Sequence, residues 1–271
     1  MPAIWLYNNV LTGVSLSGDK YTYQNPLNTD KPDRWEWHVC PCCPPMFLKI
    51  MAAMPGYIYA YQGDNVYVNL FIGSEVRVPV GKSNSVRLKQ LTSYPWHGAV
   101  SIQVNPDKAS TFSMKVRIPG WAQGTENPYD LYQSNLKAPV KLKVNQEDVL
   151  LRIVDGYAEI NREWKKGDHI ELELPMQPRL ITANKAVENL RGQVAFASGP
   201  IIYCFEDADN PELQTFKLQA QTPLELSHDS NLLNGVNIIK CQGDIPAKAI
   251  PYYAVANREE SHSYKVWIPQ K

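Results

Sequence analysis

The stretch NVYVNLFIGSEVRVPV, residues 65–80, decides the fold. Its apolar side chains recur at every second position, at Val66, Val68, Leu70 and Ile72. A period of two is typical of a β-strand that buries one face and exposes the other to water. Antiparallel sheets commonly keep one solvated face, so the stretch predicts antiparallel β structure.

The same alternation recurs further along the chain. Residues 111–121, TFSMKVRIPGW, place the apolar side chains on one face and Ser113, Lys115 and Arg117 on the other. Residues 139–144, PVKLKV, repeat the pattern. Turn formers separate these runs at the spacing of a β-sandwich. We therefore expect a first antiparallel β-sandwich over residues 57–178.

A second set of strands starts at RGQVAFASGPIIYCFE, residues 191–206, and ends at SYKVWIP, residues 263–269. A less regular stretch with two prolines, residues 174–192, separates the two sets and predicts a junction near residue 178. We expect a second antiparallel sandwich over residues 179–271, and a protein that is mainly β.

The N-terminal part, residues 1–56, has a different character. In HVCPCCPPMFLKIMAAMPG, residues 38–56, apolar side chains fall at i, i+3, i+4 and i+7, which predicts a short helix that Pro55-Gly56 stops. Pro44 suits the first helical turn, because its missing N–H is not needed there. One amphipathic helix in about 55 residues cannot close a core alone. We interpret this part as the end of a larger helical domain.

Five cysteines divide into two kinds. An odd number with three crowded together is a poor disulfide framework and favours reduced thiols. The two that lie inside apolar strands fit the core as small buried side chains. The cysteines are Cys40, Cys42, Cys43, Cys204 and Cys241.

The crowded cysteines sit at the predicted start of the helix. The positive end of a helix dipole lowers a thiol pKa and favours the thiolate, which is both a nucleophile and a metal ligand. A soft cation such as Zn²⁺ prefers thiolates. His38 could add a ligand, but four ligands within six residues would wrap badly around one ion, so remote ligands would be needed. Simple packing in the core is the alternative.

Charge and hydropathy exclude several classes of function. Lys+Arg and Asp+Glu are equal at 27 each, so no electrostatic field gathers nucleic acid or an anionic membrane. No run of about 18 apolar residues predicts a membrane span. The start, MPAIWLYNNVLTG, does not read as a signal peptide, and we expect a cytoplasmic location if Met1 is the natural start.

Several stretches together resemble a known family. They are LYNNVLTGVSLSGDKYTYQNPL (residues 6–27), Cys-Cys-Pro-Pro (42–45), GYIYAYQGDNVYVNLFIGSE (56–75) and EINREWKKGDHIELELPMQPR (159–179). Their order and content resemble glycoside hydrolase family 127, the β-L-arabinofuranosidase type, over nearly the whole chain. The resemblance implies an (α/α)₆ barrel followed by two β-sandwiches, with residues 1–56 as the remnant of the barrel.

The resemblance also implies a retaining mechanism. In such enzymes a zinc-bound cysteine thiolate attacks the anomeric carbon and a glutamic acid protonates the leaving oxygen. By motif match Cys42 is the nucleophile, and Cys42 and Cys43 are zinc ligands. The other ligands and the acid/base glutamate lie upstream in the family, and this chain has Met46 where the family commonly has asparagine. We therefore expect the C-terminal part of such an enzyme, with little or no activity alone.

The expected ligand is an arabinose-containing oligosaccharide or glycan. Tyr23 lies in a stretch that resembles the end of the barrel, and Trp37 carries a ring that could stack on a sugar, so both are candidate substrate-binding residues. The expected partner is a separate barrel-bearing chain or a second copy of this chain. Two other functions stay open: a non-catalytic β-sandwich module for carbohydrate binding or assembly, and a stand-alone zinc or redox site.

Overall fold

The computed structural model describes residues 3–37, 39–127, 129–242 and 245–271. These residues form two compact units. The C-terminal unit is assembled from three stretches, Met1–Met51, Gly124–Leu136 and Gln177–Lys271. The middle unit is assembled from two, Ala52–Gln123 and Lys137–Met176.

Helices are short and concentrated near the N-terminus. They are α1 (Ala3–Trp5), a π-helical turn (Leu6–Val10), α2 (Cys43–Ala53) and α3 (Pro55–Ile58), with 3₁₀ turns at Gly120–Gln123, Glu188–Leu190 and Tyr252–Ala254. None of the helices in the described ranges is long and apolar enough to span a membrane.

Strands make up the rest of the regular structure. In chain order they are β1 (Asn28–Thr29), β2 (Tyr59–Gln62), β3 (Asn65–Val68), β4 (Ser74–Val80), β5 (Asn84–Thr92), β6 (Ala99–Pro106), β7 (Ser110–Arg117), β8 (Tyr132–Ser134), β9 (Lys141–Val144), β10 (Glu147–Asp148), β11 (Ile153–Val154), β12 (Tyr157–Trp164), β13 (Asp168–Glu173), β14 (Arg179–Ala183), β15 (Gln193–Ser198), β16 (Ile201–Glu206), β17 (Leu224–Asp229), β18 (Val236–Cys241), β19 (Ala247–Pro251), β20 (Tyr264–Lys265) and β21 (Ile268–Pro269).

The middle unit contains two sheets. One has the strand order β10-β9-β13-β6-β5-β4 and the other β11-β12-β7-β3-β2. The pairs are antiparallel except for β3 and β7, which run parallel. Both sheets contribute fully buried side chains to the core, among them Leu88, Ile102, Phe112, Met114, Trp164 and Ile170. Buried and less buried positions alternate along β6, as expected for a strand with one solvated face, whereas on β7 the alternation is interrupted because Ser113, expected on the solvated face, is buried between Phe112 and Met114.

The C-terminal unit is built on one large sheet. Its main path is β17-β18-β19-β16-β15-β14-β8, and β1, β20 and β21 pair alongside. Phe196 and Phe205 meet edge to face in its core, with ring centroids 5.0 Å apart. Strand β8 comes from the 124–136 stretch and pairs antiparallel with β14, so this sheet uses residues that lie far apart in the sequence.

The N-terminal segment is fastened to this sheet. The Asn8 amide donates to the Pro200 carbonyl at 2.8 Å, and its oxygen accepts from the Ile202 N–H at 2.8 Å. Strand β1 pairs with β20, and the hydroxyls of Tyr252 and Tyr264 both donate to the Pro26 carbonyl. The described part of the predicted barrel remnant is thus held by β structure from the other end of the chain.

The prediction of a mainly β, antiparallel protein is confirmed. Within 65–80, however, the alternation does not form one strand: β3 ends at Val68 and β4 begins at Ser74, in different sheets. Leu70 and Phe71 are both buried although they are neighbours, which a single regular strand with one wet face does not allow. The number of sandwiches and their boundaries at residues 57, 178 and 179 stay predictions.

The helix that follows the cysteines ends just before Pro55-Gly56, as predicted, but these two residues also open a second helix that was not predicted. Helix α2 ends at Ala53, and Pro55 then occupies the first turn of a new short helix, α3. Proline is well tolerated at that position, because its fixed φ suits a helix and its missing N–H is not needed.

Candidate active site

The three crowded cysteines lie where a helix begins, as predicted. We call Cys40, Cys42 and Cys43 the cysteine cluster. Helix α2 starts at Cys43, and the Cys42 carbonyl accepts the first helical hydrogen bond, from the Met46 N–H at 3.4 Å. The Cys42 N–H donates to the Cys40 carbonyl at 2.9 Å, which folds the chain back at the helix entrance. Two thiols therefore flank the positive end of the helix dipole.

The sulfur atoms of Cys42 and Cys43 lie 3.8 Å apart. Two thiolates bound at about 2.3 Å to one tetrahedral zinc ion lie about 3.8 Å from each other, so this separation fits two of the four ligand positions. Cys40 and Cys42 are exposed and Cys43 is partly exposed, so an incoming ion or ligand can reach them.

The described residues do not form a metal site by themselves. Among them, no group of three or more His, Cys, Asp or Glu side chains is arranged to hold a metal ion. His38, considered above as a further ligand, lies outside the described residues. Glu36, close in sequence, is exposed and lies 3.8 Å from the Lys20 amine, an arrangement typical of a surface pair. The remaining ligands of a zinc site would have to come from elsewhere.

The other two cysteines are core residues, as the sequence suggested. Cys204 and Cys241 are buried inside strands β16 and β18. Burial raises the pKa of Cys204 well above its ordinary value and raises that of Cys241 to about 12. Both thiols therefore stay neutral at physiological pH, as expected of structural cysteines in a core.

Aromatic side chains gather beside the chain segment that leads to the cluster. Tyr23 and Trp35 stack with ring centroids 5.9 Å apart and planes inclined by 13°. We call them the aromatic pair. Tyr23 is exposed, and both rings line a cavity of about 230 Å³ together with Asn25, Lys31 and Asp33. Aromatic faces flanked by amide, amine and carboxylate groups are suited to a small polar ring compound with apolar C–H faces.

Tyr21 packs directly beside the aromatic pair. Its main chain pairs with Trp35 in both directions, at 2.9 and 2.8 Å, and its ring meets Trp35 edge to face. The Tyr21 side chain is buried, and its hydroxyl has no hydrogen-bond partner among the described residues. Burial is the largest cause that raises the Tyr21 pKa above its ordinary value, with smaller electrostatic effects in the same direction from the cysteine cluster.

Trp37, the second candidate for substrate binding, is 74% exposed. It does not line the cavity that contains the aromatic pair. A ring in this position is available to a ligand or to another polypeptide, and its role in substrate binding stays a prediction.

Arg34 is a residue that sequence reasoning missed. Its guanidinium binds the main-chain carbonyls of Thr12, Tyr253 and Val255 and so joins the N-terminal loop to the C-terminal end of the chain. No motif marks it, because an arginine in a loop between aspartate and tryptophan looks like any solvated charge.

Helix α2 presents an unusual surface. None of its eleven residues, all of which the structure describes, is buried, although ten are uncharged and Lys49 is the exception. Met46 and Leu48 are 58% and 65% exposed. Exposed apolar side chains on neighbouring turns are typical of interaction surfaces.

Three models of one family match the chain in order. The β-L-arabinofuranosidase GH127 catalytic-domain model matches residues 4–56, the GH127 middle-domain model matches residues 65–176, and the family 127 C-terminal-domain model matches residues 178–269. The three matches together cover most of the chain, and all three models belong to one glycoside hydrolase family. The chain belongs to glycoside hydrolase family 127.

Individual relatives agree with this assignment. The non-reducing end β-L-arabinofuranosidase of Bifidobacterium longum subsp. longum is 29% identical over 304 residues, covering 94% of this chain and 43% of that protein. The solved structure of a GH127 β-arabinofuranosidase has a TM-score of 0.90 at 34% identity and covers 98% of this chain and 44% of the other. The GH127 β-L-arabinofuranosidase Ara127N of Geobacillus stearothermophilus T6 has a TM-score of 0.88 at 33% identity, with 98% and 45% covered. The chain thus spans less than half of the length of these relatives.

Proposed function

We propose that this chain is the C-terminal part of a retaining glycoside hydrolase that removes terminal β-L-arabinofuranosyl groups from an oligosaccharide or glycan, with Cys42 as the nucleophile. The observation that carries the proposal is the placement of Cys42 and Cys43 at the entrance of α2, inside the stretch that matches the family's catalytic domain. Exposure leaves the thiols accessible to a sugar, as a nucleophile requires.

The proposed reaction is a double displacement. The Cys42 thiolate attacks the anomeric carbon, a carbon–sulfur bond forms, and the bond to the leaving oxygen breaks. A general acid protonates that oxygen, and water later hydrolyses the glycosyl–cysteine bond, which returns the thiolate. Among the described residues, the acidic residue closest to the cluster in sequence is Glu36, which is exposed and lies beside Lys20, so we expect the proton to come from another part of the protein.

Zinc is the proposed cofactor. Cys42 and Cys43 would hold it, and their 3.8 Å separation supports that role. A bound zinc ion would keep the thiols deprotonated at neutral pH. Tyr23 and Trp37 are the proposed sugar contacts, and the open ring of Tyr23 beside a small polar cavity supports the first of these.

The proposed partner is the rest of a catalytic domain, carried by a longer chain or by a separate one. The catalytic-domain match ends at residue 56, the relatives are more than twice as long, and α2 exposes apolar side chains. Without that partner we expect no turnover, because proton donation and half of the zinc ligands are missing. A second copy of this chain is the alternative partner.

The test uses a chromogenic β-L-arabinofuranoside with zinc and a thiol reductant. We expect no turnover by the purified chain, and turnover when the chain is joined to the preceding part of the Bifidobacterium longum relative. In the joined protein, Cys42→Ala should abolish turnover and Cys204→Ala should leave it. Turnover by the chain alone would show that the upstream part is not essential. Full activity of the joined Cys42→Ala protein would exclude Cys42 as the nucleophile.

A sugar-binding role without catalysis is a second candidate. The cavity beside the aromatic pair favours it, because none of its lining residues is a cysteine. In that case the Cys42→Ala chain would bind arabinose-containing oligosaccharides as tightly as the unmodified chain.

A further inference from the structure

We infer that Arg34 is a positioning residue that holds Trp35 against Tyr23, and that through it the carbonyls of Tyr253 and Val255, near the C-terminal end of the chain, set the geometry of the aromatic pair. The inference rests on the proposed function in one respect only, namely that Tyr23 of this pair contacts sugar.

The hydrogen bonds of Arg34 carry the argument. Nε donates to the Val255 carbonyl at 3.0 Å, and Nη2 donates to the same carbonyl at 2.9 Å and to that of Tyr253 at 3.4 Å. Nη1 donates to the Thr12 carbonyl at 3.0 Å. One guanidinium thus joins three main-chain positions that are about 20 and 220 residues away in the sequence. These acceptors are uncharged, and burial lowers the Arg34 pKa to about 10, so the group stays charged at neutral pH.

The sequence position of Arg34 links its hydrogen bonds to the aromatic pair. Trp35 is the next residue, and its main chain bonds in both directions to Tyr21, on the same short segment as Tyr23. The indole N–H of Trp35 also donates to the Asp33 carboxylate. If the Arg34 main chain moves, Trp35 must move with it, and the parallel overlap with Tyr23 is lost. The cavity of about 230 Å³ that the two rings line would then change its shape.

The geometry of these hydrogen bonds explains why an arginine is present. A planar guanidinium offers five donors in fixed directions and can bind several carbonyls at once, whereas a lysine ammonium acts as a compact point charge. A lysine at position 34 would keep the charge but would not reach all three carbonyls. We therefore expect Arg34→Lys to behave between the unmodified chain and Arg34→Met.

The experiment uses the chain labelled with 5-fluorotryptophan and observed by ¹⁹F NMR. Trp35→Phe assigns the Trp35 signal, and Tyr23→Leu gives its position without the stack. In Arg34→Met, the Trp35 signal should move most of the way to the Tyr23→Leu position, with a smaller move in Arg34→Lys. In Arg34→Ala, guanidinium ions below denaturing concentration should restore the original position, because they can occupy the vacated site.

Asn28→Ala is the matched control. Asn28 also ties the N-terminal loop to the C-terminal end, by accepting from the N–H groups of Val266 and Trp267 at 2.9 and 3.1 Å, but it does not adjoin Trp35. We expect its Trp35 signal to be unchanged. A Trp35 signal at its original position in folded Arg34→Met would overturn the inference. If Arg34→Met does not fold, a Trp35 signal at the original position in Arg34→Lys would overturn it equally.

Adding a β-L-arabinofuranoside separates this inference from the proposed function. A shift of the Trp35 signal in the unmodified chain, absent in Tyr23→Leu, would support sugar contact. No shift, together with the expected behaviour of the Arg34 variants, would leave the positioning role established and remove the sugar role of the pair.

Discussion

Replacing Arg179 with methionine should destabilise the C-terminal unit strongly. The Arg179 guanidinium binds both oxygens of Glu126, at 2.7 and 3.0 Å, and the Gly199 carbonyl at 2.8 Å. The two side chains are only 1% and 3% exposed. Removing the cation leaves a buried carboxylate without its counter-charge, and breaking such a pair costs about 3–5 kcal/mol. We expect a loss of that size in the free energy of unfolding.

Urea denaturation followed by near-UV circular dichroism measures this loss. The matched control is Arg77→Met, which breaks the pair with Asp107 in the middle unit, where the side chains are 59% and 48% exposed. An exposed pair contributes about 0–1 kcal/mol. The double variant Arg179→Met with Glu126→Leu should recover much of the stability, because no unpaired charge then remains. A cost for Arg179→Met no larger than that of the control would refute the reasoning.

Three further predictions concern packing, acid stability and thiol reactivity. Gly98→Ala should destabilise the middle unit by about 1–3 kcal/mol in urea, because its Cβ would collide with the Leu174 carbonyl; Gly56→Ala, which meets open space, should have little effect. Burial tends to raise the Asp209 pKa, but hydrogen bonds and positive charge from Arg258 and Lys248 lower it below its ordinary value of 3.8. The stabilisation that the Asp209 carboxylate contributes to the folded state is therefore complete above about pH 4 and is lost as the pH falls through the folded-state pKa. Urea midpoints between pH 2 and 6 should therefore fall less steeply in Arg258→Met, and an unchanged slope would contradict this. Iodoacetamide should add to three thiols of the folded chain and to five in urea, counted by intact mass; more than three additions without urea would show that the two buried cysteines open readily.

Much of the β structure could be predicted from the sequence, because alternation is a local signal. Phe112, Met114 and Val116 are buried on β7 as their spacing predicted. The alternation fails as a guide at Leu70 and Phe71, where the apolar pattern continues although the chain passes from one sheet to the other. Periodicity records which side chains are apolar, and it does not record where the chain changes direction.

The candidate site was predictable only where a compact motif marks it. The helix start at Cys43 follows from Cys-Cys-Pro-Pro, and its exposed thiols agree with the functional interpretation. Arg34, by contrast, acts through carbonyls of Tyr253 and Val255, more than 200 residues away. Every residue has a main-chain carbonyl, so the sequence does not show which positions accept these hydrogen bonds. The exposure of the apolar side chains of α2 agrees with the interpretation of residues 1–56 as the end of a larger helical domain.

Residues 124–136 lie in sequence between the two stretches of the middle unit but belong to the C-terminal unit, and we call this segment the detour. It affects how such a protein can be rearranged. Although the family is divided into consecutive regions with a border near residue 177, this detour supplies the edge strand β8 and the carboxylate of Glu126 to the sheet that follows the border. A recombination event that exchanged only the last region would pair β14 of one protein with β8 of another. The arginine at position 179 would then depend on an acidic residue that comes from the other protein. In this chain, we expect an exchange of the last region to succeed only when residues 124–136 are exchanged with it, since both contribute to one sheet and one buried ion pair.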